Sequence, residues 1–189
     1  MKIFLRIMWM LPVVGFSVIP VLAANAEGWS HAGNKPANFE SGVDQQTVYN
    51  GHPSAYLKAK STGEGFGSLT QSFSAVAYAG RRVRFSAWVK SEGVSQFSGL
   101  WMRVETGEDQ WKAFDNMNTR PIKGATAWRK YEVVLDVDEK ATAIRIGIML
   151  AGPGRVWMNS SNFEVVGLDV PTTLPPPMPE SPKNLGFNK

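Results

Sequence analysis

Val83-Arg84-Phe85-Ser86-Ala87-Trp88-Val89-Lys90 is the stretch on which the fold turns. Apolar Val83, Phe85, Ala87 and Val89 alternate with Arg84, Ser86, Trp88 and Lys90. Neighbouring side chains of an extended strand point to opposite faces, so this segment has one face for a core and one for solvent. The pattern recurs in Leu100, Met102 and Val104, then in Tyr131, Val133, Leu135 and Val137. It returns in Ile144, Ile146, Ile148 and Leu150. Weaker candidate strands lie at 28–33, 38–44, 54–59, 66–73, 111–117 and 155–166. Gly51-His52-Pro53, Gly63-Glu64-Gly65 and Gly152-Pro153-Gly154 punctuate them. No long window carries a helical stripe, and Ala75 to Ala79 suits a single helical turn. Strands at this density with no helices between them predict an all-β fold. The expected form is a two-sheet antiparallel β-sandwich, a jelly roll, over residues 27–168.

Composition agrees. The 189 residues are 43% hydrophobic and 19% charged, with 7 Trp, 10 Phe and 4 Tyr, which excludes a disordered chain. There is no cysteine, so disulfides, thiol catalysis and cysteine-based zinc sites are excluded. A domain of this size holds together by packing alone.

Both ends differ from the middle. Residues 1–26 have the form of a secretory signal peptide: basic Lys2 and Arg6, an apolar run from Ile7 to Ala24, then Ala24-Asn25-Ala26 as a cleavage site before Glu27. Pro12 and Pro20 interrupt the run and no basic stop follows it, so cleavage is expected over a retained membrane anchor. The expected location is secreted or periplasmic. At the other end, residues 169–189 read as a disordered proline-rich tail, with prolines at 171, 175, 176, 177, 179 and 182. It is either a solvated tail or a docking peptide for a protein partner.

Several segments carry a family resemblance over about residues 28–166. Asn38-Phe39-Glu40-Ser41-Gly42 resembles the opening strand of carbohydrate-binding modules with the galactose-binding-domain-like jelly roll. The stretch 83–90 resembles their central strand, Ala127-Trp128-Arg129-Lys130-Tyr131 the start of a later one, and Gly154-Arg155-Val156-Trp157-Met158-Asn159 with Phe163-Glu164 the closing one. Gly99-Leu100-Trp101-Met102-Arg103-Val104, Ala113-Phe114-Asp115-Asn116-Met117 and Arg120-Pro121-Ile122-Lys123-Gly124 are similar to a bacterial group whose members bear the label of transcriptional regulators. The same kind of domain accompanies erythromycin-esterase-like enzymes. The resemblance implies a jelly roll and a glycan ligand. Aspartates that help hold a structural calcium in such modules are replaced here by Asn159-Ser160, which puts that metal in doubt. No other cofactor is implied.

Catalysis finds little support in the residues. His31 and His52 sit near separate turns, and no nucleophile elbow or His-rich metal motif is present. Glu40, Glu105, Asp115 and Glu132 are the carboxylates available to a glycosidase, but spacing does not show that any two converge, and Glu40 reads as a surface carboxylate before a calcium ligand. The expectation is no enzyme and no bound metal. Nucleic-acid binding is not expected either. Net charge is only +4, two of it in the leader. Arg81, Arg82 and Arg84 form the one basic cluster, split between two faces of a strand.

Binding is better supported. Trp88, Trp101 and Arg103 fall on the polar phase of their strands, with Arg84, Ser86 and Arg145. If Phe114 faces the core, Trp111, Ala113 and Asp115 join them. An indole can stack on the apolar face of a sugar ring while Arg, Asp and Asn direct hydrogen bonds to hydroxyls. The expected ligand residues are Trp88, Trp101, Arg103, Asp115 and Asn116, on one outer face formed by 81–90, 98–105 and 144–150. The competing reading covers both indoles with the Phe66–Tyr78 connection or the loop at Arg120-Pro121, and makes Asp115-Asn116 a loop pin. Trp29, Trp128 and Trp157, beside turns, read as structural. The function expected is a secreted, non-catalytic module for carbohydrate or a similar polyhydroxylated ligand. The alternative is an envelope domain that docks an enzyme or sensor through the same face or through the tail.

Overall fold

The long central strand β5, Arg82–Gly107, organises the molecule. At about 3.3 Å per residue, 26 residues would reach roughly 85 Å, about twice the breadth of a domain of this size. The strand therefore has to bend. It bends where its register against β7, Ile122–Asp136, shifts between Val89 and Ser98. Gly93 and Gly124, at φ 59° and 69°, supply the left-handed backbone that bulges of this kind use. The computed structural model describes residues 26–60, 64–107, 110–174, 181–182 and 184–186, the side chain of Trp111 excepted.

Each half of β5 builds one layer. Its first half lies between β7 and β9, Arg155–Val166. Beyond β9 come β3, His52–Ala59, and β2, Phe39–Tyr49. Its second half lies between β6, Gln110–Asp115, and β8, Ala143–Ala151. Beyond β8 come β4, Phe66–Ser74, and β1, Ser30–Gly33. All nine strands pair antiparallel in one sheet that curls into two layers. This is the expected all-β sandwich. Among the described residues the helical pieces are two single 3₁₀ turns, Pro36–Asn38 and Val76–Tyr78.

The core lies between the layers and follows the alternation. Val83, Phe85, Ala87 and Val89 are sealed from solvent, as are Leu100, Met102 and Val104. Odd positions face inward before the bend and even positions after it. Extra residues inserted by bulges change the phase, because the side-chain period of a strand is two. Strand β7 starts well before the expected 131–137. Its exposed first half carries Lys123, Arg129 and Lys130, the charge that an edge strand uses against unwanted pairing.

The expected leader lies outside the described residues except for Ala26. The expected start of the tail at residue 169 needs moving. Arg82 Nη1 donates to the carbonyls of Leu168 and Val170, and Thr173 exchanges hydrogen bonds with the backbone of Val134. Leu174 packs on the core. The chain is thus held to the sandwich as far as Leu174, and positions 175–180, with most of the prolines, lie outside the described residues.

Candidate functional site

The outer face of the β6-β5-β8-β4-β1 layer holds a cleft of about 360 Å³. Its floor is set by a pair of cross-strand partners, Trp101 on β5 and Gly147 on β8. Gly147 has no side chain to prop the indole up, so Trp101 lies down across the sheet toward β4. There its Nε1 donates to Ser68 Oγ at 2.9 Å. Ser68 in turn donates to the carbonyl of Ile148 and lies 2.9 Å from Thr70 Oγ1. Phe114 meets the indole edge-on at 6.3 Å, and Phe66 and Met149 complete the apolar walls.

Two residues further along, Arg103 on β5 and Arg145 on β8 stand directly opposite each other and also line the cleft. Both form ion pairs with Oε1 of Glu105, 3.0 Å from Arg145 Nε. Glu105 is only 8% exposed. The Nε of Arg103 is buried and has no hydrogen-bond partner among the described residues. A floor of aromatic and thioether surface with a few directed donors at one end is the form of a small-ligand site.

The expected site residues are only partly brought together. Trp101 and Arg103 do line one cleft, in which Trp101, 8% exposed, forms the floor. Trp88 belongs to the other layer. It pairs with Lys130 of β7 and Asn159 of β9, because the bend in β5 separates it from Trp101. It is half-buried under Tyr49, whose ring stacks on it at 4.8 Å and 27°, while Trp128 lies 5.2 Å from Tyr49. Arg84 is on Trp88's layer too, paired with Glu164 at 2.8 Å. The single face expected for both tryptophans is therefore two faces.

Asp115 and Asn116 do not reach the cleft. Strand β6 has the opposite phase to that needed: Phe114 turns out to the cleft, so Asp115 turns away from it. Asp115 is 6% exposed and accepts from Arg120 Nη2 at 2.7 Å, from the Met117 amide at 2.8 Å and from the Thr173 hydroxyl at 2.5 Å. Asn116 Oδ1 accepts from the Asn118 amide. Both are loop pins, the reading set against a ligand role. Trp111 has its side chain outside the described residues.

Sequence reasoning missed Phe66, Phe114, Met149 and the Gly147 gap. The signal for Glu105 was available: Trp101, Arg103 and Glu105 alternate along one strand and share a face.

The other layer has a smaller constellation. Trp157 is buried, and its Nε1 donates to Asp44 Oδ2 at 2.8 Å, with Lys90 and Arg155 over the ring. Partial burial alone would raise the Asp44 pKa. The hydrogen bonds from Trp157 and from the Gln46 and Thr47 amides outweigh it and bring the value down to about 2. Glu40 pairs with Lys58 at 3.3 Å, and His31 bridges Ser41 and the Pro36 carbonyl. Among the described residues no three His, Asp or Glu side chains converge to hold a metal ion.

No family model matches the chain. A Bacillus subtilis (strain 168) protein described as "Uncharacterized HTH-type transcriptional regulator YbfP" is 42% identical over 169 residues, 86% of this chain. The chain spans 57% of that relative's length. Among solved structures, the CBM22-1 xylan-binding domain of Paenibacillus barcinonensis Xyn10C superposes with a TM-score of 0.57 at 14% identity, over 77% of this chain and 90% of that one. The C-terminal family 22 carbohydrate binding module of Clostridium thermocellum Xyn10B gives 0.53 at 15%, over 76% and 88%. The enzymatically active domain of Bacteriophage CBA120 tailspike protein 4 gives 0.55 at 14%, over 74% of this chain and 20% of that one. At these identities the shared property is the β-sandwich fold.

Proposed function

We propose that this protein is an exported, non-catalytic module that binds carbohydrate in the Trp101 cleft. The observation that carries the reading is the indole of Trp101 laid flat as a cleft floor, walled by Phe66, Phe114 and Met149 and flanked by arginines. Sugars present alternating apolar faces and hydroxyl edges, and this surface offers both complements. The fold is one that xylan-binding and other carbohydrate-binding modules share, which supports a glycan over other polyhydroxylated ligands.

A non-catalytic role is supported by the cleft's lining, which among the described residues contains no Asp or Glu, whereas glycoside hydrolysis ordinarily needs two carboxylates flanking the bond. Glu105, beside it, is engaged by two guanidinium groups. A DNA-reading role like that in the name of the Bacillus relative has no α-helix to use among the described residues. Export rests on the leader-like residues 1–26. Docking to an envelope partner has its own candidate in the half-buried Trp88, Tyr49 and Trp128 cluster on the other layer.

Calorimetric titration of the purified chain with β-linked oligosaccharides tests the reading. Trp101→Ala is expected to cut affinity at least about tenfold, on the order of the loss of a buried aromatic contact. Trp88→Ala, on the other layer, is expected to leave it unchanged. Loss of binding with Trp88→Ala and not with Trp101→Ala would move the site. Release of reducing sugar would overturn the non-catalytic reading. A mature N-terminus other than one near Glu27 would overturn the export reading.

A further inference from the structure

The cleft carries more positive charge than its own carboxylate balances. Arg103 and Arg145 are directly opposed across β5 and β8. Like charges in that position repel and destabilise a sheet. Glu105 answers them with one negative charge for two positives, and both ion pairs close on the same oxygen, Oε1. Among the described residues, neither Asp nor Glu lines the cleft itself. The two guanidinium groups stay open to it, with side chains 34% and 45% exposed. Arg103 Nε is buried without a partner among the described residues, a donor whose neglect is costly unless a bound state satisfies it. A guanidinium is a planar fork that matches a carboxylate with two parallel hydrogen bonds.

We propose that the cleft selects acidic saccharides: a uronic acid residue stacks beside Trp101 and places its carboxylate between Arg103 and Arg145. The proposal rests on the carbohydrate reading above and deepens it to a ligand class. The apolar walls hold the ring, and the arginine pair, one unit of charge in excess, reads the carboxylate. A neutral sugar in the same place leaves that excess unanswered in a partly desolvated cleft, where charge is expensive.

Matched ligands test this. Cellotetraose and its C6-oxidised counterpart, the β-1,4-linked glucuronate tetramer, share a backbone and differ only in the carboxylates. Xylotetraose and an aldouronic xylo-oligosaccharide form a second pair. The full chain is titrated calorimetrically with each at low and high salt. The acidic member of a pair is expected to bind about tenfold tighter or better, as one charge-assisted hydrogen-bonded contact predicts. That preference is expected to shrink at high salt, since the groups it uses are partly exposed. Arg145→Gln, at a side chain 45% exposed, is expected to fold and to lower the ratio of acidic to neutral affinity. Arg103→Gln is expected to do the same, with near-UV circular dichroism checking the fold. Equal affinity within each pair, or preference for the neutral member, overturns acidic selection while carbohydrate binding stands. Binding to neither member of either pair counts against the carbohydrate reading itself, and acidic selection falls with it. A preference untouched by salt and by both substitutions also overturns it.

Discussion

A Cβ built on Gly147 would meet the carbonyl oxygen of Leu69 at 2.4 Å and Trp101 Nε1 at 2.8 Å. The first contact is backbone on the neighbouring strand, so it cannot be relieved by a rotamer change. The second is the atom that anchors the indole to Ser68. Gly147→Ala is therefore expected to cost about 1–3 kcal/mol, the ordinary penalty of overpacking, and to lift Trp101 off the sheet. A urea titration gives the stability, and intrinsic tryptophan fluorescence reports the ring. An unchanged midpoint and spectrum would show that the gap is not what sets the cleft's depth. At this scale the sequence was informative about the face a residue takes and silent about its depth. The alternation placed Trp101 and Arg103 on the same face, and they share it. It could not show that Trp101 is a floor, because that depends on a missing side chain at position 147, far along the chain. Asp115 failed for a different reason. Strand β6 is six residues long, and a strand that short with Phe114 and Asp115 adjacent fits either phase.

At the scale of elements, two features were hidden from periodicity. The first is that the expected strands 81–90 and 98–105 are one strand. Ser91 to Phe97 has too little alternation to read as extended backbone, and Gly93 within it looks like a turn; in the fold it serves a bulge. That bulge sends Trp88 and Trp101 to different layers. The second is the chain after β9. Residues 167–174 carry no strand pattern, yet they cover the open edge of β7. The Thr173 amide donates to the Val134 carbonyl at 3.0 Å, and the Val134 amide donates to Thr173 Oγ1 at 2.9 Å. The same hydroxyl donates to buried Asp115. An uncovered edge strand leaves unpaired amides and invites association. Truncation after Gly167 is expected to destabilise the protein by about 3 kcal/mol relative to truncation after Leu174, for the lost hydrogen bonds and the lost burial of Leu174. It is also expected to raise light scattering on heating. Equal urea midpoints for the two truncations would show that the segment merely lies alongside.

At the scale of the whole molecule, the fold class was the most legible property. Val83 to Val89, Leu100 to Val104 and Ile144 to Leu150 needed only a period of two to show which side faces the core, and those residues are sealed from solvent. Which layer each strand joins was not legible, since it follows from the bend in β5. One tie across the β7-β5-β9-β3-β2 layer makes a whole-molecule property measurable. Asp44 on β2 receives Trp157 Nε1 from β9, passing over β3, and accepts the Gln46 and Thr47 amides as well. Burial pushes its pKa upward, but those hydrogen bonds prevail and hold it at about 2 against an ordinary 3.8. The folded state thus keeps the carboxylate charged at pH values where the unfolded chain takes up a proton. Stability from this group is fully present above pH 3.8 and is lost as pH falls toward and through about 2. Asp44→Asn removes the titration while keeping an oxygen to accept from Trp157. Urea midpoints across acid pH should then decline less steeply for the variant than for the natural chain, so that the advantage of the natural chain shrinks below pH 3.8. Parallel curves through that window would mean that the Asp44–Trp157 tie contributes nothing to acid stability, and that other carboxylates govern acid unfolding.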